Sequence, residues 1–113
     1  MDASAARCLV LAESCGEDGV IVLLRMGDDP GQERMRQLLL ALRQIFDEVH
    51  GAKTFDRELA YALHVLAVYP EAQISSWSRQ GCTWREELVA VEIPAVALAV
   101  ESIFAGEWEE LHA

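Results

Sequence analysis

The chain has 113 residues, of which 52% are hydrophobic, and it carries a formal net charge of −10. This apolar content excludes a disordered chain, and the length suits one small domain with its own core, so we predict a single helical domain over residues 1–113. No run reaches the roughly 18 uncharged apolar residues of a membrane span, and no basic segment precedes an apolar one at the N-terminus. We therefore expect a cytoplasmic protein that does not bind membranes.

The negative charge is concentrated in the last quarter of the chain. Residues 86–113 hold seven Glu and no Lys or Arg, whereas residues 1–85 are close to balanced. Nucleic acid is excluded as a partner, because binding to phosphates requires clustered cations. A basic protein partner is electrostatically favoured.

The N-terminal segment is ambiguous between two structures. Two apolar runs, 8–12 and 20–24, flank the sequence Gly-Glu-Asp-Gly at 16–19. The β-branched content of the second run favours a β-hairpin. The alanine-rich start of the chain favours two short helices instead, and a hairpin with only two strands is marginally stable.

The clearest predicted helix covers residues 30–50. Pro30 suits its first position, and Asp29 can cap it. Apolar residues then recur every three or four positions through Val49, while polar residues occupy the opposite side. Gly51 marks its C-terminal end.

A second predicted helix covers residues 56–69 and is capped by Thr54 or Asp56. It is apolar nearly all round, which is typical of a central helix or of one that faces a second chain. Pro70 is expected to end it. We expect this helix to pack antiparallel to the first, across the short connection 51–55.

The remaining sequence predicts a long loop and two more helices. Residues 71–83 read as a loop, and Thr83 to Glu86 form a capping box that predicts a helix starting at Trp84. Pro94 is expected to interrupt it, and a final helix over 94–105 ends at Gly106. On this last helix we expect a buried face made of Ala95, Leu98, Ile103 and Phe104.

The predicted fold is therefore mainly α, a compact bundle of about four to five helices, with the N-terminal β-hairpin left open. The excess of apolar residues and the second helix both favour a homodimer.

Few residues predict chemistry. His64 lies in the middle of a predicted helix, and the residues before it lack the Glu-x-x-His spacing of helical di-metal sites. Cys82 lies in the predicted loop, with no motif to place a base beside it. We predict no catalytic residue, no metal site and no cofactor, so an enzyme is the least favoured class.

The segment 77–85 is the best predicted binding site. It combines two of the three tryptophans with two arginines, and both residue types dominate the energetics of protein interfaces. We predict that it contacts a partner through Trp77, Arg79, Trp84 and Arg85. The competing interpretation is that the tryptophans attach this segment to the core and the arginines pair with nearby glutamates.

Two functions follow from these features. The favoured one is a small acidic cytoplasmic protein-interaction module, such as an inhibitor, immunity protein, adaptor or chaperone, without catalysis of its own. The alternative is a small-molecule binding or sensing domain, with a pocket between helices lined by Tyr61 and His64 together with the two tryptophans.

Overall fold

Helices account for most of the chain in the computed structural model, which describes residues 1–110. Four long helices and one short helix follow one another, and the last begins as a π-helical turn. Their bounds are α1 Ala3–Cys15, α2 Val20–Arg25, α3 Gln32–Val49, α4 Arg57–Arg79, the π-helical turn Leu88–Glu92, and α5 Ile93–Ala105. The mainly helical prediction is confirmed.

Of the two structures left open for the N-terminal segment, the pair of helices is found and the β-hairpin is not, since residues 1–110 contain no strand. The first apolar run continues α1, which Asp2 caps by accepting a hydrogen bond from the Ala5 amide at 2.7 Å. The second run forms α2. The turn between them brings the backbone of Gly19 so close to α1 that a Cβ would collide with the carbonyl oxygens of Ala12 and Glu13. The β-branched residues of α2 are helical because Val20 and Ile21 are buried there.

The prediction that Pro70 ends its helix is wrong. It lies buried inside α4, which begins after the Asp56 cap and continues to Arg79. A proline inside a helix costs about 3 kcal/mol, and tertiary contacts beyond it offset this cost. Ile74 is buried in the core, and Gln73 donates a hydrogen bond to the Ile21 carbonyl at 3.3 Å. Consequently most of the predicted loop 71–83 is helix.

Pro94 does not interrupt its helix either. A proline has no N–H, and its ring clashes with the carbonyl four residues earlier. The backbone widens immediately before it, and the Ile93 amide donates to the Leu88 carbonyl five residues back. We call the continuous stretch Leu88–Ala105 the C-terminal helix; it ends at Gly106, which adopts the expected left-handed conformation with φ 77°.

The four long helices form a ring in which α1 and α5 each pack against both α3 and α4. The predicted packing of α3 against α4 is wrong, because these two helices lie across the bundle from each other. Buried hydrophobic residues from every helix form one continuous core. The Phe55 ring, just before α4, contacts the Phe104 ring near the end of α5, whereas Ile74, near the end of α4, lines the same groove as Pro94 at the start of α5. The two helices therefore run antiparallel.

The buried face of α5 differs from the predicted one. Val96, Ala99, Val100 and Ile103 face the core, whereas Phe104 is 52% exposed. Nearly every residue of this helix is apolar, so its periodicity does not identify the inner face.

Candidate functional site

Trp77, a predicted partner-binding residue, contacts its own chain. It lies near the end of α4, half-buried, and its Nε1 donates a hydrogen bond to the Arg25 carbonyl at 3.0 Å. Its ring covers Gly27, where an added Cβ would lie 3.1 Å from the ring and where φ is 81°. Trp77 thereby attaches the part of α4 beyond Pro70 to the end of α2.

Arg85 is likewise engaged within the chain. Its guanidinium contacts both carboxylate oxygens of buried Glu92 at 2.6 Å and pairs with Asp29 at 3.0 Å. The hydrogen bonds to Glu92 and Asp29 raise the pKa of Arg85 above its usual range. Desolvation raises the pKa of Asp29, but the hydrogen bonds from Arg85 and the Gly31 amide outweigh it, and that pKa lies below its ordinary value.

The other two predicted contact residues differ in exposure. Trp84 is half-buried against the core, and its Nε1 is buried without a hydrogen-bond partner in the described part of the chain. Arg79 is exposed at the last position of α4. Of the four residues predicted to bind a partner, Arg79 has the most accessible position.

The structure places Tyr61 and His64, the predicted pocket residues, apart from Trp77. Tyr61 is exposed beside a depression shared by α1, α2 and α4, and His64 is exposed as well. Trp77 follows His64 by thirteen residues on one helix, which is roughly 20 Å at 1.5 Å per residue. Cys82 lies still farther along, so these side chains do not combine into a reactive pair.

The structure instead contains an open groove between α4 and the C-terminal helix. Its volume is about 330 Å³. Four α4 residues form one wall, and four residues of the C-terminal helix form the other: Ala67, Glu71, Ile74 and Ser75, and Val89, Ile93, Pro94 and Ala97. We call this feature the α4–α5 groove.

Exposed apolar side chains lie in or next to the groove on both helices. Val68 on α4 is 51% exposed, and Val89 and Phe104 on the C-terminal helix are 41% and 52% exposed. The C-terminal helix has a mean hydropathy of 2.0, so its length and composition alone would allow it to cross a membrane, yet only 39% of its residues are buried in the bundle. Much of its apolar surface therefore has no cover within the described chain.

Carboxylates surround this apolar surface. Glu71 lines the groove, Glu86 precedes Val89 by one turn, and Glu101 follows Ala97 by one turn on the same face. All three are exposed. Arg79 adds one base at the end of α4, four residues after Ser75.

The sequence does not predict this groove, because residues 71–83 read as a loop and Phe104 is expected in the core. One signal was available in the sequence. The segment 88–105 is apolar on every side apart from Glu92, Glu101 and Ser102, and a helix of this kind is typical of one that also faces another chain.

Residues 1–110 contain no group of three or more His, Cys, Asp or Glu side chains arranged to hold a metal ion. The chain matches no protein-family model, no curated protein sequence and no solved structure.

Proposed function

We propose that the protein is a non-catalytic interaction module that binds another protein chain through the α4–α5 groove. The observation that carries this proposal is the C-terminal helix, which is apolar on both sides but covered on only one. Soluble monomers rarely expose large continuous apolar patches, and such patches mark interaction sites. Burial of this surface supplies about 25 cal/mol per Å² toward association.

The groove is a better supported interface than the segment 77–85. Trp77 already donates a hydrogen bond to Arg25, and Arg85 already donates to Glu92 and Asp29. Binding through them would require breaking those contacts. Arg79 is exposed at the end of α4, so it remains a candidate contact at the edge of the proposed interface.

Site-specific photo-crosslinking in the source cell tests this proposal. A photoreactive phenylalanine analogue replaces Val68 on α4 or Phe104 on the C-terminal helix, both of which are exposed. The control carries the analogue at Leu40, which is 48% exposed on α3. We expect the two groove positions, but not Leu40, to crosslink to the same partner protein. Crosslinking equal to that of Leu40 at both groove positions would refute the proposal.

A small-molecule binding domain is the second candidate, and the size of the groove favours it. Its volume of about 330 Å³ lies at the lower end of the range for ligand sites, and its walls are mostly apolar. Native mass spectrometry of the freshly purified protein tests this function, with Ala97→Phe as the variant that fills the groove. A retained small molecule that disappears in Ala97→Phe would support the second candidate over the first.

A further inference from the structure

The walls of the α4–α5 groove restrict the kind of segment that fits. Both walls are helices, and residues 1–110 contain no strand, so the described chain has no sheet edge to which a partner strand could be added. Rows of side chains on two neighbouring helices form grooves that accept the side-chain ridges of a third helix. From Val89 to Phe104 the C-terminal helix is about 22 Å long, which matches a partner helix of about four turns.

The charges around the groove restrict the partner further. Glu71 lines the groove, and exposed Glu86 and Glu101 lie one turn before Val89 and one turn after Ala97. Arg79 adds a base at one end, and residues 86–110 contain no Lys or Arg, so acids predominate. A second copy of this chain would place two such acidic rims against each other, and each copy would bring its own net charge of −10. Like charges brought together at an interface oppose association, whereas opposite charges promote and orient it.

We infer that the α4–α5 groove binds a cationic amphipathic helix of another protein. Its apolar face would contact Val89, Ile93 and Ala97, and its Lys or Arg residues would lie beside Glu71, Glu86 and Glu101. This inference rests on the proposed function and specifies the class of partner.

Binding of designed peptides to the full chain tests the inference. The probe is a fluorescent 15-residue peptide of Leu and Lys with the Leu residues on one helical face. One comparison peptide has Glu in place of Lys, and another has the same Leu and Lys composition in an order that gives no apolar face. Fluorescence anisotropy measures each affinity at 50 mM and 300 mM salt.

Two variants with equal charge changes separate the rim from the overall negative charge. Glu71→Gln with Glu101→Gln neutralises two carboxylates beside the groove. Glu17→Gln with Glu48→Gln neutralises two exposed carboxylates elsewhere. At about twofold to threefold per exposed ion pair, we expect the first variant to weaken the binding of the Leu/Lys peptide about fivefold at low salt. The second variant should keep the wild-type affinity.

Three outcomes would overturn the inference. One is equal binding of the Leu/Lys peptide and its reordered form, and another is an equal loss of affinity in the two double variants. The third is sedimentation of the wild type as a dimer that Ala97→Glu converts to a monomer, since a second copy would then occupy the groove.

A membrane surface is tested separately with vesicles of phosphatidylcholine alone and with added phosphatidylserine. We expect the protein to bind neither kind of vesicle. If it binds them and Ala97→Glu abolishes this binding, the groove contacts a lipid surface and not a helix of another protein. If the peptides fail while crosslinks from Val68 and Phe104 persist, the inference falls and the interaction module stands. If the crosslinks also fail, the proposed function falls.

Discussion

Two long edges of the molecule differ, because one is closed by an ion pair and the other is open. Between α1 and α3, buried Glu13 receives a guanidinium fork from Arg34, with nitrogen–oxygen distances of 2.6 and 2.8 Å. Between α4 and the C-terminal helix, apolar side chains line an open groove with exposed carboxylates around it. At the first edge a guanidinium from the same chain neutralises the buried carboxylate, whereas at the second edge apolar surface is left uncovered. Mutations at the first edge should therefore affect stability, and mutations at the second should affect binding.

The largest effect is expected at the closed edge, for Arg34→Ala. This substitution leaves the Glu13 carboxylate buried without its cation, which costs about 3 kcal/mol in the free energy of unfolding. Urea denaturation at pH 7 measures the loss. The matched control is Arg36→Ala on the same helix, because Arg36 pairs with exposed Glu33 and its loss should cost less than about 1 kcal/mol. Equal losses in the two variants would contradict the contrast.

Trp77→Ala is expected to cost about 2 kcal/mol, because it removes both the ring that covers Gly27 and the hydrogen bond to Arg25. The effect should be concentrated in the part of α4 beyond Pro70, where hydrogen exchange of amides 71–79 should accelerate more than that of amides 60–66. Trp77→Phe keeps a packed ring and should lose only about 1 kcal/mol. Uniform acceleration along α4 would show that Trp77 does not hold this segment specifically.

A smaller effect should appear in the acid stability of the protein. The pKa of Asp56 lies below its ordinary value, first because the Leu59 amide donates a hydrogen bond to its carboxylate, and also because Arg7 pairs with it. A depressed folded-state pKa contributes stability above the unfolded pKa of about 3.9 and loses it as the pH falls through the folded value. Asp56→Asn keeps a capping side chain but has no charge to titrate. Urea midpoints between pH 6 and pH 2 should therefore fall less steeply for Asp56→Asn than for the wild type, and identical slopes would contradict this assignment.

The smallest effect on stability is expected at the open edge. Val68→Ala removes exposed methyl groups and should change the free energy of unfolding by less than about 0.5 kcal/mol. Val65→Ala, one turn earlier on the same helix and only 4% exposed, should cost about 2 kcal/mol. The order should be reversed for peptide binding: Val68→Ala should weaken the affinity for the Leu/Lys peptide more than Val65→Ala does. A large stability loss in Val68→Ala would mean that this face is already part of the core.

The sequence predicted the elements whose polar and apolar residues are well separated. The helix predicted at 30–50 is found as Gln32–Val49, because its apolar residues follow one face and polar residues cover the other. The stop at Gly106 was also correct, since the left-handed conformation there favours glycine. Local chemistry determines both features.

Features that depend on distant contacts could not be predicted. Pro70 was expected to end α4, but the hydrogen bonds of Gln73 and Trp77 to α2 hold the next turns in place. The groove depends on which side of an almost entirely apolar helix faces the core, and the spacing of residues does not determine that side. The Arg34–Glu13 pair joins residues 21 positions apart, and only the folded chain identifies it. The Arg85–Glu92 pair is local, and it agrees with the interpretation that the arginines of 77–85 pair with nearby glutamates.

The π-helical turn before Pro94 has a consequence for how this sequence tolerates insertions and deletions. Each residue of an α-helix turns the chain by about 100°, so the wide turn gives the preceding residues an angular offset from α5. Glu92 points inward to Arg85 within this turn. The wide turn holds one residue more than a regular turn, so deleting one residue from 88–92 would restore a regular pitch and leave Trp84 and Arg85 facing their present neighbours. Inserting a residue there would instead rotate Trp84 and Arg85 by about 100°. This segment should therefore tolerate a deletion better than an insertion.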